Sequence, residues 1–347
     1  MSLFDKWLKS VAGLAIAFAG ALFASSAGVP AAPLVGSTAA VTAASLLGLS
    51  PKIPDSLRNL SFAVIGGTLG AGITPDIYDN LSSFPLSILG LAVSMAITML
   101  ACGYVLMHAF GQPRDAAVLA TSPGGLSYSL ALALERKLDV RTIMVLQSVR
   151  LFLITMLMPP LLTLFGIMDG KPVEAVAILG LQASAVVLFL SAASGIVFDR
   201  LGVPAAWLIA GLLVSGAMHG TGLVVGRFAE PVTFAGFTIA GAVIGSRFSG
   251  ISGAELRRLG VAGAISSGLA LFISAVAALT MSALTGFPFT QIWIAYAPGG
   301  VEGMAAMALS LHLDPVFVAT HHIFRILALI ALLPVLLRWL KTHGGPD

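Results

Sequence analysis

Residues 259–301 read LGVAGAISSGLALFISAVAALTMSALTGFPFTQIWIAYAPGGV, 43 positions without one Asp, Glu, Lys or Arg. A single membrane-crossing helix needs about 20 apolar residues, so this run holds two. Residues 10–51 form another uncharged run, of 42. The whole chain of 347 residues agrees: 58% is apolar, only 10% is charged, and its mean hydropathy is +1.00. A soluble domain carries about 25% charged residues, and so few charges cannot coat a water-facing surface. Long uncharged runs also exclude a transmembrane barrel, whose strands alternate polar and apolar positions.

Net charge is only +3, and no cluster of Lys and Arg exists to neutralise phosphates, so no nucleic-acid partner is expected. Cys102 is the only cysteine; no intrachain disulfide or thiolate cluster can form, and it reads as a small core residue. Lys6 and Lys9 followed by an apolar stretch to Ala27 resemble a secretory signal. An internal repeat argues instead that this first segment is a retained span.

Shifting the chain by 175 positions aligns residues 120–162 with 295–337 without a gap, and 14 of those 43 positions are identical. They include Pro123-Gly124-Gly125 with Pro298-Gly299-Gly300, Asp139 with Asp314, Arg150 with Arg325, and Pro159 with Pro334. Gly66 and Gly70 match Gly241 and Gly245 at the same shift, and the Gly-Val-Pro-Ala-Ala runs at 28–32 and 202–206 match at 174. The chain reads as a tandem duplication, 1–170 and 171–347.

Apolar runs predict spans near 10–27, 30–49, 59–74, 84–110, 116–134 and 142–167. A second set lies near 174–197, 202–220, 231–249, 259–285, 290–311 and 316–340. The fold class expected is an all-α polytopic membrane protein of 10 to 12 transmembrane helices in two tandem homologous repeats, with broken Pro-Gly-Gly helices. The third segment of each repeat is short and glycine-rich, and the Gly-Val-Pro turn is read as able to join two segments into one long bent helix. An odd number of spans per repeat would invert the second copy and an even number keep it parallel. Counting Lys and Arg on either side, nine against seven with the N-terminus inside, does not decide.

The two Pro-Gly-Gly triplets are the sharpest chemical feature. An unpaired backbone group in lipid costs several kcal/mol, so a helix break survives only where it is buried in protein or lines a polar cavity. Glu302 follows the second triplet by two residues, and its mate is Ser127. An ionisable side chain at membrane depth marks a candidate proton or cation site. Arg150 and Arg325 lie about nine residues into the last span of each repeat, where they either bind an anionic group or neutralise Glu302. Gln147 and His322, with Ser122, Ser129 and Tyr296, could add hydrogen bonds. The glycine pairs fit small-xxx-small helix packing. No histidine or carboxylate spacing suits a metal ion, and no enzyme activity or cofactor is expected.

Doubled Pro-Gly-Gly, then Arg about 25 residues on and Pro beyond it, with a Gly-x-x-x-Gly span before, resembles the duplicated AbrB-type membrane proteins of Gram-negative bacteria. That family is linked to regulation of gene expression, and some members carry an ammonia monooxygenase label that these residues do not support. Each repeat also resembles the bile-acid/sodium symporter and sodium/proton antiporter fold. That resemblance implies inverted repeats whose broken helices cross at the substrate site, placing Pro123 to Gly125 and Pro298 to Gly300 at the crossing, with Ser127 and Glu302 facing it. The function expected is secondary transport of a small solute, coupled to protons or sodium, in the bacterial inner membrane, and the arginines lean toward an anionic one. The alternative is a membrane-embedded regulator without transport. Expected partners are the lipid bilayer, a small solute or ion, and a second copy in a homodimer.

Overall fold

A computed structural model describes residues 3–72, 84–124, 126–164, 177–311 and 313–343, and every regular element among them is a helix. The first seven are α1 (Leu3–Ser26), α2 (Ala32–Leu46), α3 (Asp55–Gly70), α4 (Phe84–Phe110), α5 (Arg114–Thr121), α6 (Leu126–Glu135) and α7 (Val140–Leu164). Seven more follow: α8 (Leu181–Arg200), α9 (Ala206–Gly220), α10 (Glu230–Ser246), α11 (Gly253–Thr285), α12 (Phe289–Tyr296), α13 (Val301–Ser310) and α14 (Pro315–His343).

Six helices are long and apolar enough to cross a membrane: Trp7–Ser26 within α1, then α4, α7, α8, α11, and Val316–Leu333 within α14. Their surfaces are those of a protein dissolved in lipid. On α4 the exposed face is Leu89, Val93, Ile97 and Leu100, whereas Ser87, Ser94 and Thr98 are buried. Water would select the opposite arrangement. Buried hydroxyls instead bond to helix carbonyls, as Ser87 Oγ does to Phe84 O at 3.0 Å, and small polar residues let helices approach closely. The chain is a membrane protein.

Among the described residues each sequence-predicted segment contains helix, and two places bear on how the segments are divided. Segments 116–134 and 290–311 each divide at their Pro-Gly-Gly triplet, into α5 with α6 and α12 with α13. The idea of one long bent helix through Gly-Val-Pro is corrected: α1 and α2 are separate helices packed on each other, and so are α8 and α9. Gly28 (φ 69°) and Gly202 (φ 72°) end α1 and α8 in the left-handed conformation. Val29 N then bonds back to Ala24 O at 3.0 Å and Val203 N to Phe198 O at 2.9 Å, the closure that terminates a helix at a glycine.

The chain forms two compact units, and each draws helices from both sequence halves. The first comprises residues 1–82, 155–252 and 302–319; the second comprises 83–154, 253–301 and 320–347. In the first unit α3 packs on α9 and α2 packs on α10. Both contacts are made through glycine. A Cβ on Gly66 would collide with Leu208 O, and one on Gly70 would lie 2.6 Å from Gly216 N. One on Gly241 would collide with Leu34 O, and one on Gly245 would lie 2.9 Å from Thr38 O. Hydroxyls then reach across: Ser215 Oγ to Gly67 O at 2.7 Å and Thr38 Oγ1 to Gly241 O at 3.2 Å. In the second unit α4 packs on α5 and α11, α12 packs on α11, and Met95, Met99, Leu119, Ile143 and Leu329 share one buried cluster.

Gly66→Val and Gly241→Val are expected to destabilise the folded protein by at least about 3 kcal/mol each, the upper range for overpacking, because the obstacle is backbone. Gly268 provides the control, since a Cβ added there would meet nothing within 4 Å. Gly268→Ala should leave the melting temperature in detergent unchanged or raise it.

Candidate functional site

α5 stops at Thr121 and α12 at Tyr296, so each leaves its last carbonyls without an intrahelical donor. The residues that answer this come from α7 and α14. Arg150 Nη1 donates to Ala120 O at 3.1 Å and Nη2 to Ser122 O at 2.9 Å. Arg325 Nη1 donates to Ala297 O and Nη2 to Gly299 O, both at 2.7 Å. Ser122 and Ala297 are 175 positions apart, so the two guanidiniums share one matching carbonyl, while their second partners, Ala120 O and Gly299 O, lie on either side of it. Three residues before each arginine a second cap stands. Gln147 Nε2 donates to Leu119 O at 2.7 Å, and His322 Nε2 bonds Ile294 O at 3.0 Å; these carbonyls are again 175 apart.

His322 is held in one tautomer. Its Nδ1 lies 2.6 Å from Arg325 Nη2, and a guanidinium only donates, so Nδ1 accepts and Nε2 carries the hydrogen given to Ile294 O. All four capping side chains are buried, Arg150 at 5% and Arg325 at 1% exposure. A buried charge is otherwise costly; here the negative end of a helix dipole and two carbonyl oxygens surround each guanidinium.

Arg325 also joins the two breaks. Gly124 adopts φ +88°, and a Cβ there would lie 3.2 Å from Arg325 Nε and Nη2. Glycine is needed both for that φ and for the approach. Ser122 Oγ donates to Leu119 O at 2.8 Å and lies 2.7 Å from Ser129 Oγ, tying the end of α5 to α6. Beside the second break the Tyr296 hydroxyl donates to Ser87 O, and His321 Nε2 lies 2.8 Å from Ser87 Oγ.

Of the sequence-predicted site residues, Pro123, Gly124, Pro298, Gly299 and Gly300 form the breaks, and Arg150, Arg325, Gln147 and His322 cap them. Gly125 lies outside the described residues, as do the side chains of Ser127 and Glu302. Sequence reasoning offers the arginines as ligands for an anion or for Glu302. Their observed partners at the breaks are backbone carbonyls, which no residue pattern displays. Sequence reasoning sets His321 aside with the other histidines for want of metal spacing and passes over Ser87; a buried serine facing a histidine from another helix leaves no sequence signal. Asp139 and Asp314, identical in the two halves, cap α7 and α14: Asp139 Oδ1 accepts from Arg141 N and Thr142 N, and Asp314 Oδ1 from Val316 N and Phe317 N. The Thr142 hydroxyl and these amides hold the Asp139 carboxyl below the usual carboxylate range.

Arg150→Met should lower stability by about 2–4 kcal/mol, since it strands two buried carbonyls. His322→Gln should fall between the parent and the arginine variant, because an amide supplies the donor for Ile294 O as Gln147 does for Leu119 O but places its acceptor for Arg325 Nη2 differently, whereas His322→Leu should fall with the arginine variant. Thermal unfolding in detergent, read by tryptophan fluorescence, separates these outcomes.

The chain matches the family described as Transition state regulatory protein AbrB over residues 33–341. It is also 30% identical over 275 residues to "Uncharacterized protein YhjN" of Bacillus subtilis (strain 168), a match covering 73% of this chain and 71% of that one. The capped helix breaks and the glycine-mediated helix pairs all lie in or across the matched region, and the chain belongs to the AbrB family of membrane proteins.

Proposed function

We propose that this protein is a secondary transporter of a small solute, with its binding site at the breaks between α5 and α6 and between α12 and α13. The observation that carries this reading is the pair of interrupted helices drawn together at Gly124 and Arg325. Interrupted helices in transporters expose backbone groups to substrate and coupling ion near the middle of the membrane. With the carbonyl ends capped by guanidiniums, the amide ends, which open α6 and α13, remain for solute. Glu302, the second residue of α13, is the candidate carrier of a coupling proton or sodium ion, and Ser127 is its counterpart. We read the chain as two tandem repeats giving 10 to 12 spans in the bacterial inner membrane.

The family carries the name of a regulatory protein, which favours a second reading: a membrane-embedded regulator with a transporter's architecture, acting through a partner. Flux distinguishes the two. Protein reconstituted in liposomes is expected to show solute uptake driven by an imposed proton or sodium gradient, and Glu302→Gln should reduce the coupled component at least about tenfold while leaving the melting temperature in place. Uptake that is indifferent to both gradients and to Glu302→Gln would sink the transport reading. A stable protein partner recovered from native membranes, together with absent flux, would establish the regulatory one.

A further inference from the structure

The first unit contains a cavity of about 720 Å³, within the range of small-molecule sites. Its walls come from the N-terminal ends of α2 and α10, the C-terminal end of α3, the loop before α10 and residues at the end of α13. Glu230, Thr233, Phe234 and Phe237 line it as one stripe of α10 at helical spacing. Phe228, fully buried, adds a third phenyl ring.

Its polar groups have defined roles. Thr68 Oγ1 donates to Val64 O at 2.8 Å and Thr233 Oγ1 to Glu230 O at 2.9 Å. Each hydroxyl therefore spends its hydrogen on its own helix and offers lone pairs. Arg227 and Glu230 share the lining, and among the described residues neither is in an ion pair. Arg227 is held there by its backbone: its N donates to Ala177 O at 2.9 Å, and its O accepts from Leu179 N at 2.8 Å. His219 Nε2 holds the neighbouring Gly226 O at 3.0 Å. Gly226 has φ +126°, and a Cβ on it would lie 2.6 Å from Ala177 O, so only glycine permits this loop.

The positions that match this lining 174 or 175 residues away are engaged differently. Asp55 and Arg58, 175 positions before Glu230 and Thr233, pair with each other at 2.8 Å. Trp207, 174 positions after the lining residue Pro33, lays its ring against Gly195.

We propose that this cavity binds a compact zwitterion carried on an apolar body. Glu230 and the lone pairs of Thr68 and Thr233 receive its ammonium group, Arg227 receives its anionic oxygens, and Phe228, Phe234 and Phe237 enclose the body. An apolar α-amino acid and a phosphatidylethanolamine headgroup share this chemistry. No residue of the helix breaks lines the cavity, so the inference stands apart from the transport reading.

The test uses the full chain in phosphatidylglycerol nanodiscs. One arm titrates L-phenylalanine by calorimetry; the other adds phosphatidylethanolamine and counts retained lipid by native mass spectrometry. Binding is expected in one arm, and it should weaken at least about tenfold in Arg227→Gln and again in Glu230→Gln, the scale of one charge-assisted hydrogen bond. Both residues are exposed, so the ligand-free melting temperature should not move, which separates lost binding from lost folding. A Thr233→Phe variant, which fills the cavity, should abolish binding. No binding in either arm, or binding that survives all three variants, would overturn the proposal.

Discussion

A helix that stops inside a membrane leaves its last carbonyls facing a medium without water, and a guanidinium buried at the same depth has lost its hydration. In this protein the two problems cancel. Burying an ion costs several kcal/mol even after relaxation, while hydrogen bonds involving a charge return about 1.5–3 kcal/mol each. Arg150 and Arg325 make two such bonds apiece, and the half-charge at a helix C-terminus adds to them. The two sums are of the same size, so neither the break nor the buried arginine is stable without the other. Everything near the breaks follows: the glycine at 124, the short α5 and α12, and the register of α7 and α14 that brings each arginine to its carbonyls.

That constraint explains which side chains can vary beside the arginines. Position 147 needs one donor for Leu119 O, and an amide supplies it. Position 322 needs a donor for Ile294 O together with an acceptor for Arg325 Nη2, only 2.6 Å away. Neutral imidazole offers both at opposite edges of one ring. Histidine at 322 is thus a consequence of Arg325 turning Nη2 toward Gly299 O and the ring together, and it marks the second break as the more tightly wired of the two.

Much of this is legible in the residues, and the boundary between legible and hidden is physical. Spans and breaks are readable because solvation by lipid acts on composition: residues 84–110 are apolar throughout and form α4 over that same range. Pro-Gly-Gly is readable because one residue without an amide hydrogen followed by two of poor helix propensity interrupts the ladder, whereas Pro159 and Pro160 stay within α7. The role of Arg150 and Arg325 is not, since their partners are main-chain oxygens and any residue could supply them. The cavity lined by Arg227 and Glu230 is equally hidden: its walls come from five separate stretches of chain, and neither charge looks unusual at the end of a span. Ala31 and Ala205, both at φ 52°, show the same limit, as non-glycine residues in a left-handed turn that no propensity would place there.

Positions 175 apart therefore fall into two physical groups. Several that solve a backbone problem are the same in both halves: Pro-Gly-Gly, the arginine caps, and Asp139 with Asp314 at helix starts. The backbone problem is identical each time, and its solutions are few. Others differ: Gln147 and His322 cap matching carbonyls with different donors, and Leu146 stands against His321, Ser127 against Glu302, and Asp55 and Arg58 against Glu230 and Thr233. Where the backbone solutions are shared, ionisable side chains are among what differs between the two sequence halves. Glu302, His321 and Glu230 all belong to the second sequence half, while their counterparts Ser127 and Leu146 cannot titrate and Asp55 is occupied by Arg58. Any behaviour that depends on protonation at these three positions is confined to the second half, since their first-half counterparts either lack an ionisable group or already pair with a neighbour.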